Sequence, residues 1–346
     1  MNNTTTAGAN TAPANSADVL IVGAGLSGLM AAHELRTRGL HPLLLDKGRS
    51  VGGRLATRRV GPGRADHGAQ FFTVRSPEFR PWVERWQAEG LVYIWSTGWS
   101  DGSLAETPSD GHPRYAVRGG MNALAQHLAQ GLDVRVETQV AALAPKANGW
   151  QVADQTGHVY TGRGLLLTPP VPQSLALLEA SGVVLADHDR EILEGIEYAP
   201  SLAGIFWLDQ PLHLPEPGAM QRSNAPIAWM ADNQRKGISP EATLATVHAA
   251  PEISEAAWQM PETAVLESLF EGLQPFIEPG TQVLERQLKR WRYALPTQAY
   301  PERILVADGP LPLVFAGDAF GGPRVEGAAL SGLAAGQALA TVLGDR

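Results

Sequence analysis

The sequence of 346 residues has no cysteine. Disulfides, thiolate metal ligands and a cysteine nucleophile are excluded together, and so is a cysteinyl link to any prosthetic group. Lysine is scarce as well, with only Lys47, Lys146, Lys236 and Lys289. No apolar run approaches the ~20 residues that cross a bilayer, so no membrane span is expected. The opening residues 1–17, MNNTTTAGANTAPANSA, lack both the basic cluster and the apolar core of a signal peptide. They read as a disordered tail, with the cytoplasm as the expected location. A net charge of −8 lacks the basic excess of a general nucleic-acid binder. The nine histidines show no ligand spacing, so no metal centre is expected, and no Ser-His-Asp set can be assembled.

What is present fits a folded globular chain, with 44% hydrophobic and 18% charged residues and length enough for two co-folded lobes. Asp18 to Gly23 is a short apolar run of the central parallel-strand type. Leu26, Leu29, Met30 and Leu35 follow at helical spacing, the helix ends near Gly39, and His41 to Leu45 reads as the next strand. Together they make a right-handed βαβ unit. Further on, Phe79, Trp82, Val83 and Trp86 mark one helix and Met121, Leu124 and Leu128 another. Val134, Val136, Thr138 and Val140 alternate as a strand does, and Leu165 to Leu167 is a short buried strand. From Pro170 to Pro296 the pattern loosens. It tightens again at the strand Leu313 to Ala316, followed by a helix of small residues from Gly327 to Leu339 that suits close approach to a ligand or another backbone.

Gly23-Ala24-Gly25-Leu26-Ser27-Gly28 matches G-x-G-x-x-G between that strand and that helix. The first glycine permits the tight turn, the second lets the backbone approach a pyrophosphate, and the third lets helix and strand pack closely. The helix start offers free N–H groups and the positive end of its dipole. Asp46, eighteen residues after Gly28, stands where a carboxylate would bind a ribose hydroxyl. This fingerprint alone does not separate NAD from FAD.

The next segment, Asp46-Lys47-Gly48-Arg49-Ser50-Val51-Gly52-Gly53-Arg54, resembles the acid-then-GGR signature of the flavin amine oxidase superfamily. The resemblance extends to Asp66-His67-Gly68-Ala69-Gln70-Phe71-Phe72, to Gly119-Gly120-Met121 before a helix, and to Gly317-Asp318. Taken with Lys289-Arg290-Trp291-Arg292-Tyr293-Ala294, the set looks most like the renalase-like branch. The resemblance implies non-covalent FAD, with Gly53 and Arg54 along the pyrophosphate and Lys47 at the adenine-ribose end. It places Ala69, Gln70 and Phe71 near the isoalloxazine ring, and the strand ending at Val140 near the adenine. It also places Asp318 on the ribityl chain and the helix from Gly327 pointing at the flavin N1/O2 edge. His67 reads as structural rather than catalytic.

The implied activity is oxidation of dihydronicotinamide isomers of NAD(P)H by hydride transfer to flavin N5, with oxygen as acceptor and hydrogen peroxide as product. Gln70 and Phe71 would line the flavin face, with Trp291 and Tyr293 on the opposite wall; both aromatics are equally readable as plain core residues. Trp95, Trp99, Trp207, Trp229 and Trp258 are read as core or rim. Many amine oxidases of the superfamily keep a lysine linked through water to N5, and here only Lys236, in a polar turn, is even loosely placed for that role. A flavin amine oxidase acting on a small amine, and a non-catalytic FAD-binding module, remain the alternatives. The expected fold is α/β: a Rossmann-type FAD domain (residues 18–75, 118–170 and 301–346) with an inserted mixed α+β substrate domain (76–117 and 171–300).

Overall fold

The computed structural model describes residues 15–102, 109–223 and 225–344. In chain order the first lobe opens with β1 (Ser16–Val22), α1 (Leu26–Thr37), β2 (Pro42–Leu45), β3 (Thr57–Val60) and β4 (Gly63–Asp66). Next come α2 (Arg80–Ala88), β5 (Val92–Ser96), β6 (Arg114–Val117), α3 (Asn122–Ala129) and β7 (Asp133–Arg135). β8 (Val140–Lys146), β9 (Gly149–Asp154), β10 (Val159–Leu167), α4 (Val171–Ala180) and α5 (Asp187–Glu194) complete the middle. The cap lobe holds β11 (Glu197–Leu208), β12 (Ala219–Gln221), β13 (Ile227–Asp232), β14 (Thr243–Ala249), α6 (Pro251–Ala256), α7 (Glu262–Leu273) and β15 (Val283–Gln298). The chain returns through β16 (Leu305–Val306), β17 (Leu313–Phe315) and α8 (Arg324–Gly344).

β1 starts two residues before the expected Asp18, because Ser16 and Ala17 pair in parallel with Thr161 and Gly162. Residues 1–14 of the expected tail lie outside the described residues. The main sheet runs β16-β17-β10-β1-β2-β7, with β9 and β8 added beside β10. Its central strands read as unbroken apolar runs because both faces are covered. One face meets α1, α3 and α8 through Leu29, Leu124 and Leu339. The other meets β8, β9, α4 and α5 through Trp150, Leu178 and Leu193. A boundary drawn at Pro170 therefore cuts a packed unit, since α4 and α5 share a core with Leu20 and Leu43 of the sheet.

The alternation from Val134 to Val140 is not one strand. β7 pairs with β2 and β8 with β9, and between them Glu137 turns with φ 52°. The competing interaction is a long-range one between main chains. Glu137 N donates to Gly48 O and Thr138 N to Asp46 O, both at 2.8 Å, so this segment clamps the loop after β2 instead of extending. Leu165 to Leu167 proves to be the end of a nine-residue strand, and the last helix begins at Arg324 rather than Gly327.

α8 is the one helix among the described residues long and apolar enough to cross a membrane. It is instead packed on α1, which its small residues explain. A Cβ at Gly332 would stand 2.2 Å from Ser27 O, and one at Gly336 would stand 2.7 Å from Ala31 O. The closely approaching backbone anticipated for this helix is therefore that of α1.

The cap is a five-stranded antiparallel sheet in the order β12-β13-β14-β11-β15. Along β11 the side chains alternate as a two-residue period requires. Leu202, Phe206 and Leu208 meet Leu266 and Leu269 of α7. Ile205 faces the opposite way, into Val60 and Ala65 of the β3–β4 hairpin. The cap thus lies directly on the loops that follow β2, and the groove between the lobes is built from both.

Candidate functional site

The three glycines of the β1–α1 turn divide their work as a dinucleotide turn demands. Gly23 has φ 100°, and a Cβ there would meet Thr168 Oγ1 at 2.5 Å. At Gly28 it would stand 2.1 Å from Gly23 O, so only glycine lets turn and helix touch. At Gly25 nothing lies within 4 Å, leaving open space above the start of α1. α1 has no side-chain cap and no acid in its first turn, so the N–H groups around Leu26 remain for an anion. Ser27 Oγ is buried without a partner. This cradle fits a pyrophosphate.

The acid and the GGR loop come together on that cradle. Asp46 Oδ2 accepts from Ala24 N at 2.6 Å, and its Oδ1 accepts from Gly48 N at 2.7 Å. Gly52 N donates to Ala24 O at 2.8 Å, and Gly53 lies beside Gly25. Lys47 is exposed, with Nζ on Gln173 Oε1 at 3.1 Å. Val140 opens β8, on the far side of the turn that clamps Asp46 and Gly48. Arg54 does not project along the turn. Its guanidinium holds Asp318 in a bidentate pair at 2.7 and 2.6 Å and also donates to Tyr293 O at 3.1 Å. That one arginine joins the GGR loop, the late Gly317-Asp318 pair and the cap strand β15. Burial pushes the Asp318 carboxyl upward, and Arg54 works against it. Gly317 N donates to Ser331 Oγ at 2.9 Å, and Gly327 packs in the first turn of α8 against Gly322, where a Cβ would be 1.8 Å from the Gly322 oxygen.

The end of β4 and the loop after it are held from the cap at Asp66, His67, Gln70 and Phe71. Asp66 is fully buried, accepts from Thr57 Oγ1 and from Met121 N (2.9 Å), and pairs with Lys236 Nζ at 2.6 Å. The same ammonium donates to Gln70 O at 2.6 Å and lies 4.8 Å from the ring centre of Trp95. The ammonium thus donates to a carboxylate and to a carbonyl and stands over an aromatic face. The Gln70 side chain is gripped separately: Nε2 donates to Asp66 O at 2.8 Å and lies 3.3 Å from His248 Nε2. Ser201 Oγ sits 3.3 Å from the other His248 nitrogen. Burial, and then the Lys236 charge, pull the His248 pKa down to about 4, so its imidazole is neutral near pH 7. Phe71 leans on Trp99 and Trp229, with centroids at 5.0 and 5.3 Å, in a cluster completed by Trp95.

β15 supplies the facing wall. Lys289, Trp291 and Tyr293 are half-buried on one face, whereas Arg290 and Arg292 are exposed on the other and reach α6 and the turn after it. Trp291 Nε1 donates to His67 O at 2.8 Å, and its ring stacks on the His67 imidazole at 5.4 Å and 20°. The pKa of His67 is lowered to about 3, first by burial and then by Lys289, His248 and Arg58. Tyr293 meets Tyr198 edge to face at 5.6 Å.

Three features escaped the sequence reading. Lys236, sited by its neighbours in a polar turn, is among the most buried side chains of the protein. His248 carries no motif at all, and Trp95, Trp99 and Trp229, read as core or rim, form one cluster against Phe71. No local pattern signals the first two, because Lys236 meets Asp66 across 170 residues and His248 meets Gln70 across 178.

Comparison with known proteins places these observations in a family. Residues 21–86 match the NAD(P)-binding Rossmann-like domain, and residues 87–340 match the flavin containing amine oxidoreductase model. The chain is 26% identical to renalase of Mus musculus over 307 residues, covering 82% of this chain and 87% of that one. Among solved structures, an engineered variant of putrescine oxidase is similar with TM-score 0.70 and 14% identity, covering 96% of this chain and 99% of the other. The wild-type putrescine oxidase bound to putrescine gives 0.67 at 14% identity, with the same coverage. At that identity the likeness is one of fold.

Proposed function

Because this chain belongs to the flavin containing amine oxidoreductase family and is an FAD-dependent oxidoreductase, we propose that it oxidises dihydronicotinamide isomers of NAD(P)H rather than amines. The observation that carries this reading is the state of Lys236. An amine-oxidase lysine needs an N–H directed at the water by the flavin, whereas Lys236 is fully buried, paired with Asp66, bonded to the Gln70 carbonyl and set over the Trp95 ring.

Bound FAD supplies the chemistry of accepting a hydride from a substrate carbon and passing its electrons on, here to oxygen with release of hydrogen peroxide. The chain's own task is to hold two flat rings together and exclude water. Gln70, fixed by Lys236 through its main chain and by His248 through its side chain, and Phe71 form one wall. Trp291, backed on one face by His67, forms the other, with Tyr293 beside it. Loss of hydride from a dihydropyridine leaves an aromatic pyridinium, so no proton has to be removed by the protein. Two imidazoles with pKa lowered to about 3 and about 4 suit such a reaction, since neither is protonated at neutral pH. Gly23 to Gly28, Asp46, Lys47, Gly53, Arg54, Val140, Gly317, Asp318 and Gly327 are assigned to the cofactor. We place the protein in the cytoplasm.

The test is anaerobic. Purified yellow protein is mixed with borohydride-generated NADH isomers and, separately, with an amine panel, while the flavin band is followed. Bleaching by the isomers alone is expected. Bleaching by amines alone would overturn the proposal in favour of an amine oxidase, and no bleaching by either would indicate a binding module.

A further inference from the structure

The charges that line the groove do not cancel. Asp318 has Arg54 and Asp66 has Lys236, so each buried carboxylate is matched by its own cation. Two more cations border the same wall. Lys289 lies on β15, one alternation before Trp291 and on the same half-buried face. Arg58 lies on β3, two residues beyond Ala56, whose carbonyl accepts the His67 N–H at 3.0 Å. Both therefore flank the stacked His67–Trp291 pair from opposite lobes. Both also act on the His67 ring, and Arg58, behind burial, helps to lower the pKa of the Lys289 ammonium.

Neither cation has an acid of its own. Among the described residues, the Arg58 and Lys289 side chains make no hydrogen bond or ion pair, and Glu262 acts on Lys289 only through a Coulomb attraction. Glu285, two alternations along the same face, engages Gln287 instead, at 2.6 Å. Arg54 and Lys236 are thus matched by Asp318 and Asp66, whereas Arg58 and Lys289 have no salt-bridge partner among the described residues, in a protein of net charge −8. A half-buried ammonium without a partner is unfavourable by itself. The half-buried Lys289 ammonium and the exposed Arg58 guanidinium on one rim repel a protonated amine and favour an anion, for which a guanidinium fork suits the oxygens of a phosphate.

We propose that Arg58 and Lys289 are the specificity-determining residues of the groove, receiving a phosphate ester carried by a substrate whose flat ring lies on Trp291 and turning away alkylammonium substrates. This rests on the ring-oxidising reading above. It assigns a role to two cations that the hydride step itself leaves unused.

The deciding pair of substrates is a dihydronicotinamide riboside isomer and its 5′-mononucleotide, which differ only by the phosphate. With the FAD-loaded full chain, the mononucleotide is expected to be preferred by at least about thirtyfold in kcat/KM, chiefly through KM, with the preference shrinking as salt rises. Arg58→Gln and Lys289→Gln should each reduce that ratio about fivefold to tenfold, and the double variant should bring it near unity. Binding of oxidised nicotinamide mononucleotide, read from perturbation of the flavin spectrum, should weaken in parallel. The dinucleotide isomer distinguishes a terminal phosphate from a diphosphate bridge, and higher kcat/KM for either than for the riboside supports the rim. Equal kcat/KM for riboside and mononucleotide in the wild type, or an unchanged ratio in the double variant, overturns the rim and leaves the ring-oxidising reading standing. Turnover of amines alone overturns both.

Discussion

Replacing Lys236 by Met removes one charge from a pair that no solvent reaches. Both side chains are fully buried, and Nζ is 2.6 Å from Asp66 Oδ2. Methionine fills most of the lysine stem, so the change acts on charge and hydrogen bonding more than on volume. Asp66 keeps Thr57 Oγ1 and Met121 N as donors but loses the cation it pairs with. The Gln70 carbonyl loses a charge-assisted donor, and Trp95 loses the cation over its ring. Breaking one side of a buried pair typically costs ~3–5 kcal/mol, and this geometry belongs in that range. A chain with ~5–15 kcal/mol of stability would still fold, though with little margin. Urea unfolding followed by tryptophan fluorescence measures the loss. The companion variant Lys236→Met with Asp66→Asn removes both charges and keeps an acceptor for Met121 N, so it should recover all but ~1–2 kcal/mol. A loss under ~1 kcal/mol in the single variant would refute the reasoning. So would a double variant as damaged as the single one, because packing rather than charge would then be the cause.

The other expectations concern the cofactor turn, the wall and acid stability. Gly28→Ala forces a methyl to within 2.1 Å of Gly23 O and should yield protein that purifies without its flavin absorbance. Gly25→Ala meets nothing within 4 Å, so circular dichroism should be unchanged while FAD binding weakens. Trp291→Ala should slow anaerobic flavin reduction about tenfold or more, with Trp291→Phe recovering part of the rate; an unchanged rate would move the stacking wall elsewhere. His248 has its pKa lowered from 6.5 to about 4, so below pH 6.5 the unfolded chain binds a proton that the folded one refuses. Its contribution is present above pH 6.5 and is lost as pH falls to about 4, by about 3 kcal/mol, with His67 extending the loss toward about 3. His248→Asn should flatten that slope in denaturant titrations across the same pH range.

The readable parts of this protein are those in which the chain speaks to its own neighbours. The glycine turn announces itself because each glycine answers a steric demand within a few residues, as the 2.1 Å approach of a Gly28 Cβ to Gly23 O illustrates. The small-residue pattern of the last helix was equally plain, although only packing could say that α1 was the backbone approached. The alternation at Val134 to Val140 misled because period two is a property of side chains. What broke the strand was a pair of main-chain bonds to Gly48 and Asp46. Lys236 was hidden for a related reason: Asn, Gln, Arg and Gly around it describe a polar turn, while its partner lies 170 residues away.

Those distant contacts impose a constraint on how the groove works. Thr246 Oγ1 of the cap donates to Asp66 O at 2.8 Å, and Asn233 Oδ1 accepts from Asp66 N at 3.2 Å. With Lys236 on Asp66 and Gln70, and His248 on the Gln70 amide, the cap strand β14 and the turn before it grip residues 66 and 70 by main chain and side chain alike. Swinging the cap away as a hinged lid would strip a buried carboxylate of its ammonium and leave several buried polar groups unpaired at once. The cap is therefore part of the wall that shapes the cofactor's face.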